Sequence, residues 1–377
     1  MIRSTGEEIK MPQQEILVTR SSMPPFEEYV SEIASLWDSH WLTNRGVKHR
    51  ELEERLKEYL DAKEISLFTN GHSALECLLE AMRLEGEVIT TPFTFASTTN
   101  AIVRKGLTPV FADVKESDYT LDPSCVESLI TPRTCAILPV HVYGNICDNS
   151  ALQEIADRHG LKLIYDAAHV FGIRVNGESV VNYGDASMLS FHATKAFNTI
   201  EGGAVVTSDE GLVASLEQWK NFGIESPESV AHVGGNAKMN EFCAAMGLCN
   251  LKHVDEEIAK RKIAAEAYFE MLEGVPGVKL CIPPEAVRSN YAYLPVVFTG
   301  EFGSTRDQVY DALLAEGIHA RKYFFPLITD FACYKSVFNS DDTPIAKRLS
   351  KQVLTLPMYA DLSVDEVKRI CKIILGM

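Results

Sequence analysis

The first regular pattern of apolar residues in the chain is helical. Leu52, Leu56 and Leu60 recur at every fourth position, so residues 48–61 should form a charged helix with one apolar face. A pair of prolines opens an earlier apolar stretch, and we expect a first helix there, from about residue 24 to residue 37.

From residue 65 onward, short β-branched runs alternate with amphipathic helical stretches. This alternation is typical of an α/β protein with a mainly parallel sheet that helices cover on both faces. Such sheets bind ligands at the carboxyl ends of their strands. The predicted strands are residues 65–68, 87–90, 108–112, 135–140, 162–165, 186–191 and 203–207, and the predicted helices are residues 72–84, 95–105, 123–130 and 149–159.

The pattern changes again after residue 210, where helices dominate. Residues 252–273 should form a long amphipathic helix that leads into a unit with a strand at 293–298 and helices at 306–316 and 362–374. A chain of 377 residues is too long for one compact core. We therefore expect a tail at residues 1–20, a large domain at 21–250 and a small C-terminal domain at 251–377.

Composition excludes several classes of protein. With 46% hydrophobic and 23% charged residues, the chain has the composition of an ordinary globular protein. Its net charge is −16 and it has no basic patch, so we expect no nucleic-acid partner. No apolar run approaches the ~18–20 residues that a membrane span requires, and no apolar signal region opens the sequence, so we expect a cytoplasmic protein with no membrane partner. The nine cysteines include no C-x-x-C pair, which favours reduced thiols over a metal site or disulfides.

Several motifs of α/β enzymes are missing. The sequence has no G-x-G-x-x-G after a strand, no P-loop, no H-E-x-x-H and no G-x-S-x-G. The candidate chemistry must therefore come from other segments at the ends of the predicted strands.

The first such segment, Thr69-Asn70-Gly71-His72-Ser73-Ala74, follows a strand and opens a helix. Free N–H groups and the dipole at a helix N-terminus favour a phosphate group. Gly71 lets the backbone approach that group closely. A plain helix N-cap would have the same pattern, so this segment alone leaves both interpretations open.

Two further segments provide groups that suit a pyridine ring. In Thr91-Pro92-Phe93-Thr94-Phe95-Ala96-Ser97, an aromatic side chain could stack on a flat ring or pack in the core. In Leu163-Ile164-Tyr165-Asp166-Ala167-Ala168-His169, Asp166 could keep a pyridinium nitrogen protonated, which makes the ring an electron sink, or it could cap a helix. His169 could donate a hydrogen bond to a ring hydroxyl.

The fourth segment is Ser190-Phe191-His192-Ala193-Thr194-Lys195. After a strand, the amine of Lys195 could form an imine with a carbonyl cofactor, and the hydroxyls of Ser190 and Thr194 could bind phosphate. A single lysine in this position is usually an exposed surface residue. The order of the four segments is more informative than any one of them: phosphate loop, aromatic residue, strand-end acid and lysine.

The string from Ser190 to Ala204, SFHATKAFNTIEGGA, resembles the sugar aminotransferases of the DegT/DnrJ/EryC1/StrS family, which are fold-type-I pyridoxal-phosphate enzymes. The resemblance runs over nearly the whole chain, from Trp41-Leu42-Thr43-Asn44 to residues 320–326. It implies a large domain with a mainly parallel sheet of the seven-stranded type and a smaller C-terminal α/β domain. Within the family, the chain is similar to the subgroup typified by the VioA and DesI enzymes, which aminates C4 of dTDP-4-keto-6-deoxyglucose.

The resemblance implies a site for pyridoxal 5′-phosphate. Lys195 would be the Schiff-base lysine and proton shuttle, Asp166 would pair with the pyridine nitrogen, and Phe95 would stack on the ring. Many relatives carry Gln in place of His169 and Thr in place of His72. His169 can still donate to the ring oxygen, and the backbone N–H of His72 remains available. The implied cofactor-binding residues are Gly71, His72, Ser73, Phe95, Asp166, His169, Ser190, Lys195 and Asn236.

The resemblance also implies the reaction and its partners. L-Glutamate would donate the amino group, the cofactor would carry it as pyridoxamine 5′-phosphate, and the product would be dTDP-4-amino-4,6-dideoxyglucose. Asn236 matches a segment that in the family reaches the phosphate of the neighbouring subunit, which implies a homodimer with its active site at the interface. A simple loop before a helix is the alternative for that segment. Substrate contacts are expected from Tyr183, Lys238, Arg321, Lys322 and Tyr323.

Other functions remain open at this point. The enzyme could instead aminate C3, or it could use a GDP- or UDP-linked sugar. Dehydratases of the family replace the lysine by histidine, so Lys195 argues against dehydration. A non-catalytic regulatory homologue is the alternative from another functional class.

Overall fold

The computed structural model describes residues 15–377. The strands in this range are β1 (Glu64–Phe68), β2 (Glu87–Thr90), β3 (Thr108–Phe111), β4 (Thr134–Ile137), β5 (Lys162–Asp166), β6 (Arg174–Val175), β7 (Glu178–Ser179), β8 (Ala186–Ser190), β9 (Gly203–Thr207), β10 (Ile224–Ser226), β11 (Ser229–Val230), β12 (Val278–Leu280), β13 (Val287–Arg288), β14 (Leu294–Phe298) and β15 (Val353–Leu356).

The helices in the same range surround these strands. They are α1 (Phe26–Ile33), α2 (Leu36–Ser39), α3 (Val47–Leu60), α4 (Gly71–Ala81), α5 (Ala96–Arg104), α6 (Pro123–Val126), α7 (Asn149–His159), α8 (Glu210–Trp219), α9 (Glu241–Leu272), α10 (Arg306–Ala315), α11 (Pro344–Gln352) and α12 (Val364–Leu375).

Seven strands form the central sheet in the order β1-β9-β8-β5-β4-β2-β3. Neighbours from β8 to β3 pair in parallel, whereas β9 pairs antiparallel with both β1 and β8. The mainly parallel α/β sheet predicted from the alternating pattern is therefore confirmed. The carboxyl ends of β1, β5 and β8 meet at one edge of this sheet, and that edge forms the floor of the candidate site.

Alternate residues of each strand enter apolar clusters on the two faces of the sheet. In β5, Leu163 and Tyr165 join one cluster, which α3, α7 and the first half of α9 cover. Ile164 joins the other cluster, which α4, α5 and α8 cover. Both faces are buried, so the strands are apolar throughout and lack the polar alternation of a one-sided sheet.

A second unit follows the sheet domain. Here β12, β14 and β15 form an antiparallel sheet, and a third apolar cluster joins it to α10, α12 and the second half of α9. Helix α9 is continuous across both units. Ile258 packs in the first core and Ala264 in the C-terminal core, so residue 250, the predicted domain limit, lies inside this helix. The division into domains stays a prediction.

Residues 1–14 of the predicted tail lie outside the described residues. Within the remainder, Ile16 is buried in the C-terminal core and its backbone bridges to Ile318. Two predicted helices differ from the structure: residues 24–37 divide into α1 and α2, and residues 252–273 are the later part of a helix that begins at Glu241. Between residues 15 and 377, the model contains no helix of the length and apolar character that a membrane crossing requires.

Candidate active site

A cavity of about 650 Å³ opens where the edge of the central sheet meets the C-terminal unit. Its walls come from the ends of β5 and β8, the first turns of α4 and α5, and the segments around residues 292 and 321–324. The structure brings most of the predicted site residues to this one cavity. They are Gly71, His72, Phe95, Asp166, His169, Ser190, Thr194, Lys195, Arg321 and Tyr323.

The first turn of α4 forms one wall. Asn70 caps the helix: its side-chain oxygen accepts from the N–H of Ser73 at 2.8 Å, and its carbonyl accepts from the N–H of Ala74 at 3.1 Å. The amides of Gly71 and His72 precede these capped groups, at the positions where a helix leaves its N–H groups without intrahelical partners. This wall therefore presents N–H groups and the positive end of the helix dipole to the cavity.

Two glycines make this wall possible. A Cβ at Gly71 would lie 3.0 Å from Cβ of Ser190, and a Cβ at Gly203 would lie 2.5 Å from the backbone nitrogen of Gly71. Any larger residue at 203 would push the first turn of α4 away from the strands. The hydroxyl-bearing end of β8 and the helix N-terminus consequently form one compact anion cradle.

Asp166 is the last residue of β5 and is buried. One carboxylate oxygen accepts from the hydroxyl of Thr98 at 2.7 Å, and the other accepts from the N–H of Ala168 at 3.2 Å. Burial raises the pKa of Asp166, while these two hydrogen bonds and the charge of Lys195 lower it in part. The carboxylate is thus oriented and would gain from a cationic partner in the cavity.

His169 is held in one orientation. Its Nδ1 accepts from the backbone N–H of Tyr143 at 2.9 Å. Burial, with smaller contributions from Lys195 and His141, lowers the pKa of His169 well below its ordinary value, so the ring is neutral. Because Nδ1 accepts, the proton of the neutral ring is on Nε2, which can donate to a ligand as the sequence predicted.

Lys195 contacts a residue of the C-terminal unit. Its Nζ donates to the hydroxyl of Tyr293 at 3.1 Å and lies 5.5 Å from the centre of the same ring. The Tyr293 ring in turn packs on His169, with the two ring centres 4.5 Å apart. The amine that the sequence predicted as the reactive group therefore lies between both units.

His72 and Phe95 line the opposite side of the cavity. Nδ1 of His72 is 2.9 Å from the hydroxyl oxygen of Ser97, which joins the first turns of α4 and α5. Phe95 is the N-cap residue of α5, and 54% of its surface is exposed. A half-exposed aromatic ring at the cavity wall is available to stack on a planar ligand.

Arg321 and Tyr323 form the outer wall. The guanidinium carbon of Arg321 lies 4.0 Å from the centre of the Tyr323 ring. Burial, with a smaller contribution from Tyr293, raises the pKa of Tyr323 to about 12, although Arg321 opposes this. The pair offers one cation and one neutral phenol to a ligand.

Five predicted site residues are not among the residues that line the cavity. Ser73 lies one residue after the cavity-lining His72, and its backbone N–H already donates to the side chain of Asn70. Tyr183 precedes β8 at the opposite edge of the sheet, and its hydroxyl contacts Glu178 at 3.4 Å. Lys238 donates to Asn221 at 2.7 Å, while Asn236 is exposed and bridges to the same residue through its backbone. Lys322 pairs with Asp307 at 2.6 Å.

The sequence alone did not point to Thr98, Tyr143 or Tyr293. Thr98 directly follows the segment Thr91–Ser97, in the first turn of α5, and its role depends on how α5 packs over the end of β5. Tyr293 comes from the C-terminal unit in a stretch, Asn290-Tyr291-Ala292-Tyr293, whose aromatic residues read as ordinary strand composition. No spacing rule connects either residue to Lys195 or Asp166.

Four kinds of chemical group line the cavity at different walls. They are an anion cradle, a buried carboxylate, a neutral hydrogen-bond donor and a primary amine. A flat, cationic heterocycle that carries a phosphate and a carbonyl group matches this set of partners. Such an arrangement suits amine transfer and proton transfer next to a stabilised carbanion.

Comparison with known proteins agrees with this chemistry. The model of the DegT/DnrJ/EryC1/StrS aminotransferase family matches residues 26–375. The chain is 40% identical over 353 residues to a dTDP-4-amino-4,6-dideoxy-D-glucose transaminase from Shigella dysenteriae, covering 94% of this chain and 96% of the relative. It is 41% identical over 372 residues to the Escherichia coli transaminase of the same name, covering 97% and 100%.

A solved structure is similar over the same length. The crystal structure of DesI in the presence of its TDP-sugar product superposes with a TM-score of 0.92 at 37% sequence identity. The match covers 96% of this chain and 93% of that one. The similarity therefore includes both units and the cavity between them.

Proposed function

Because the chain belongs to the DegT/DnrJ/EryC1/StrS aminotransferase family, we propose that it transfers an amino group from L-glutamate to a nucleotide-linked keto sugar. The substrate is dTDP-4-keto-6-deoxy-D-glucose and the product is dTDP-4-amino-4,6-dideoxy-D-glucose. The observation that carries this choice of sugar is the 40–41% identity, over nearly full length, to two transaminases named for that product.

The residues of the cavity fit pyridoxal 5′-phosphate as the cofactor. Gly71 and Gly203 let the first turn of α4 pack directly against the ends of β8 and β9, which brings its N–H groups next to Ser190. Asp166 would meet the pyridine nitrogen, His169 the ring oxygen and Phe95 the ring face. The phosphate would lie among the amides of α4 and the hydroxyl of Ser190. When bound, this cofactor supplies an electron sink for the carbanion formed at the amino-bearing carbon.

Asp166 prepares the site for that chemistry. Its burial makes an isolated negative charge unfavourable, so a positive ring nitrogen is the natural partner. The hydrogen bonds from Thr98 and Ala168 hold the carboxylate in a fixed direction while it keeps its charge. A carboxylate held in this way would keep the ring nitrogen of the bound cofactor protonated.

Lys195 moves the proton in both halves of the reaction. With glutamate bound, its Nζ would carry a proton from the Cα of the donor to the cofactor carbon C4′. With the keto sugar bound, the same atom would carry a proton from C4′ to C4 of the sugar. A general base within hydrogen-bond reach typically contributes about 10²–10⁴-fold to such a step.

The nucleotide should lie at the outer wall of the cavity. Arg321 is the candidate for the diphosphate and Tyr323 for the sugar or base, because both line the cavity. The side chains of Tyr183, Lys238 and Lys322 instead contact residues of this chain outside the cavity, namely Glu178, Asn221 and Asp307. We therefore keep only Arg321 and Tyr323 as substrate candidates.

A second subunit is part of the proposal. Asn236 is exposed and, within residues 15–377, is not one of the residues that line the cavity of its own chain, which suits a residue that completes the phosphate site of another copy. We propose a homodimer in which each Asn236 contacts the cofactor held by the other subunit. A cytoplasmic location also stays a prediction.

The absorption spectrum tests the reaction directly. The protein with pyridoxal 5′-phosphate should show a visible band that L-glutamate removes and dTDP-4-keto-6-deoxyglucose restores. Lys195→Ala should lack this band and should have no measurable turnover, whereas Lys351→Ala, a change at an exposed lysine, should behave like the wild type.

Other outcomes separate the alternatives. Loss of the band without recovery would keep the aminotransferase and exclude this sugar, and C3-keto, GDP-linked and UDP-linked sugars would then be tried. A protein that never shows the band would favour a non-catalytic homologue. Turnover by Lys195→Ala without an added amine would contradict the role of Lys195.

A further inference from the structure

Tyr293 is the hydrogen-bond partner of the Lys195 amine within residues 15–377. The distance from Nζ to the phenol oxygen is 3.1 Å, and Nζ also lies 5.5 Å from the centre of the same ring. The two residues belong to different units: Lys195 follows β8 of the central sheet, while Tyr293 directly precedes β14 of the C-terminal sheet. The contact therefore depends on how the units meet.

Buried polar contacts fix the position of Tyr293. The side-chain amide of Asn290 donates to the backbone oxygens of His169 and Phe171 at 2.9 and 3.0 Å. Its side-chain oxygen accepts from the N–H of Ala292 at 3.1 Å. Asn290 is 1% exposed, so these bonds act without competition from water and tie the segment before Tyr293 to the loop that follows Asp166.

Aromatic packing fixes the ring itself. The Tyr293 ring contacts His169 on one side, and the rings of Tyr143 and Tyr323 lie 6.1 and 6.3 Å away. The His169 ring cannot turn freely, because the backbone N–H of Tyr143 donates to its Nδ1. The phenol oxygen is therefore held at one point of the cavity wall.

We infer that the Tyr293 hydroxyl is a positioning group for Lys195, which holds the free amine toward the reacting carbon during proton transfer. This inference rests on the proposed function, since it assigns a role within that reaction. A lysine side chain has four rotatable bonds, and an unheld amine would occupy many orientations that cannot reach the substrate. The phenol restricts the amine without forming a competing ion pair.

Tyr293→Phe removes one oxygen and keeps the ring that packs on His169. When pyridoxal 5′-phosphate is added to the apoprotein of this variant, the visible band should form several-fold more slowly, because the amine is less well oriented. Removal of the band by L-glutamate in a single turnover should slow by roughly tenfold, in line with the loss of one hydrogen bond. The isotope effect from glutamate deuterated at Cα should rise, because proton transfer then limits the rate more strongly.

Tyr291→Phe is the matched control. It removes a phenol oxygen two residues away, on a ring that packs against the C-terminal core, outside the cavity. This variant should match the wild type in all three measurements. Thermal unfolding midpoints of both variants check that the fold is retained.

The outcomes distinguish this inference from the proposed function. If Tyr293→Phe is folded and has unchanged cofactor uptake, rate and isotope effect, the positioning role is overturned while the aminotransferase stands. A slower rate with an unchanged isotope effect also overturns it, because a general structural defect would give that result. If the wild type itself shows no band and no response to glutamate, the proposed function fails first.

Discussion

The carboxylate of Asp166 lies at the end of a short series of hydroxyl groups. The hydroxyl of Thr98 donates to Asp166 at 2.7 Å, and the hydroxyl oxygens of Thr94 and Thr98 are 3.0 Å apart. All three residues are buried. Since burial raises the pKa of Asp166 and the bond from Thr98 lowers it, the hydroxyl of Thr98 helps to keep the acid ionised.

Thr98→Val should therefore shift the pH dependence of the enzyme. Without the hydroxyl, the pKa of Asp166 rises further, and the neutral acid cannot hold a protonated ring nitrogen. The acidic limb of kcat/KM for glutamate should move upward by about one pH unit, as expected for the loss of one hydrogen bond to a charged group. Activity on the acidic side should fall, and activity at higher pH should change little. The measurement is kcat/KM across the pH range.

The neighbouring residue provides the control for this prediction. Thr99 is also buried, and its hydroxyl has no hydrogen-bond partner in the part of the chain that the structure describes. Thr99→Val is thus the same chemical change one residue away, and it should leave the pH profile unaltered. A profile for Thr98→Val that superposes on that of Thr99→Val would refute the contribution of Thr98 to the ionisation of Asp166.

The meeting of most of the predicted site residues at one cavity could be predicted, because they follow strands whose apolar pattern is clear. Asp166 ends one buried strand and Lys195 lies five residues after another, and carboxyl ends of parallel strands share one edge. Thr98 and Tyr293 could not be predicted in this way. Their roles depend on the packing of α5 over β5 and of the C-terminal unit against the sheet, which local patterns do not encode.

At the scale of elements, α3 and α9 are joined through a buried acid. Glu241, the first residue of α9, accepts from the N–H groups of Lys48 and His49 in the first turn of α3, at 2.8 and 3.1 Å. Its side chain is fully buried. The same carboxylate therefore lies at the N-termini of two helices, where the helix dipoles favour negative charge.

Glu241→Ala should destabilise the protein by about 2–3 kcal/mol, because it leaves two buried N–H groups without an acceptor and removes a favourable charge. The midpoint of urea unfolding of the apoprotein measures this change. Glu210 occupies the same first position in α8, but its side chain is 75% exposed. Glu210→Ala should shift the stability by less than about 0.5 kcal/mol. Equal losses in the two variants would argue against a special capping role for Glu241.

The helices with one apolar face were predicted well, and α9 shows why others were not. Leu52, Leu56 and Leu60 give α3 a clear period, and all three are buried on one side. In the first part of α9, by contrast, residues 244–250 are all buried. A helix enclosed on every side has no polar face, so its sequence lacks the periodicity from which a helix start is read. Only the later, half-exposed part of α9 has a helical period of apolar residues that could be recognised in the sequence.

At the scale of the whole molecule, exposed apolar residues lie in the segment that carries Asn236 and beside the start of α9. Trp37 packs edge-on against Phe242 at the start of α9 and remains largely exposed. Val233, three residues before Asn236, is 98% exposed. Phe222, whose backbone N–H donates to Gly235 at 2.8 Å, is also exposed, so two exposed apolar residues lie beside the residue proposed to reach a second subunit, and such groups mark interaction surfaces.

Val233→Asp should weaken the proposed homodimer. Since Val233 has almost no contacts within its own chain, the change should not affect folding of the single subunit, but it would place a charge in the interface. Sedimentation velocity should show more monomer, and the affinity for pyridoxal 5′-phosphate should fall because Asn236 no longer completes the phosphate site. Val337→Asp, at a 71% exposed position in the C-terminal unit, is the control. An unchanged dimer in Val233→Asp would contradict an interface at this loop.

The contact between Lys195 and Tyr293 spans 98 residues of sequence, and β15 near the end of the chain adds Thr355 and Leu356 to the same cavity. During translation, Lys195 leaves the ribosome long before these partners exist. Domains fold as units from the N-terminal side, so the growing chain passes through a stage in which a folded sheet presents a bare lysine without its hydroxyl partner or outer wall. The site proposed for the reaction is therefore complete only when β15 has folded. A chain that stops before Tyr293 and β15 would carry the Lys195 amine without the hydroxyl and the cavity wall that orient it.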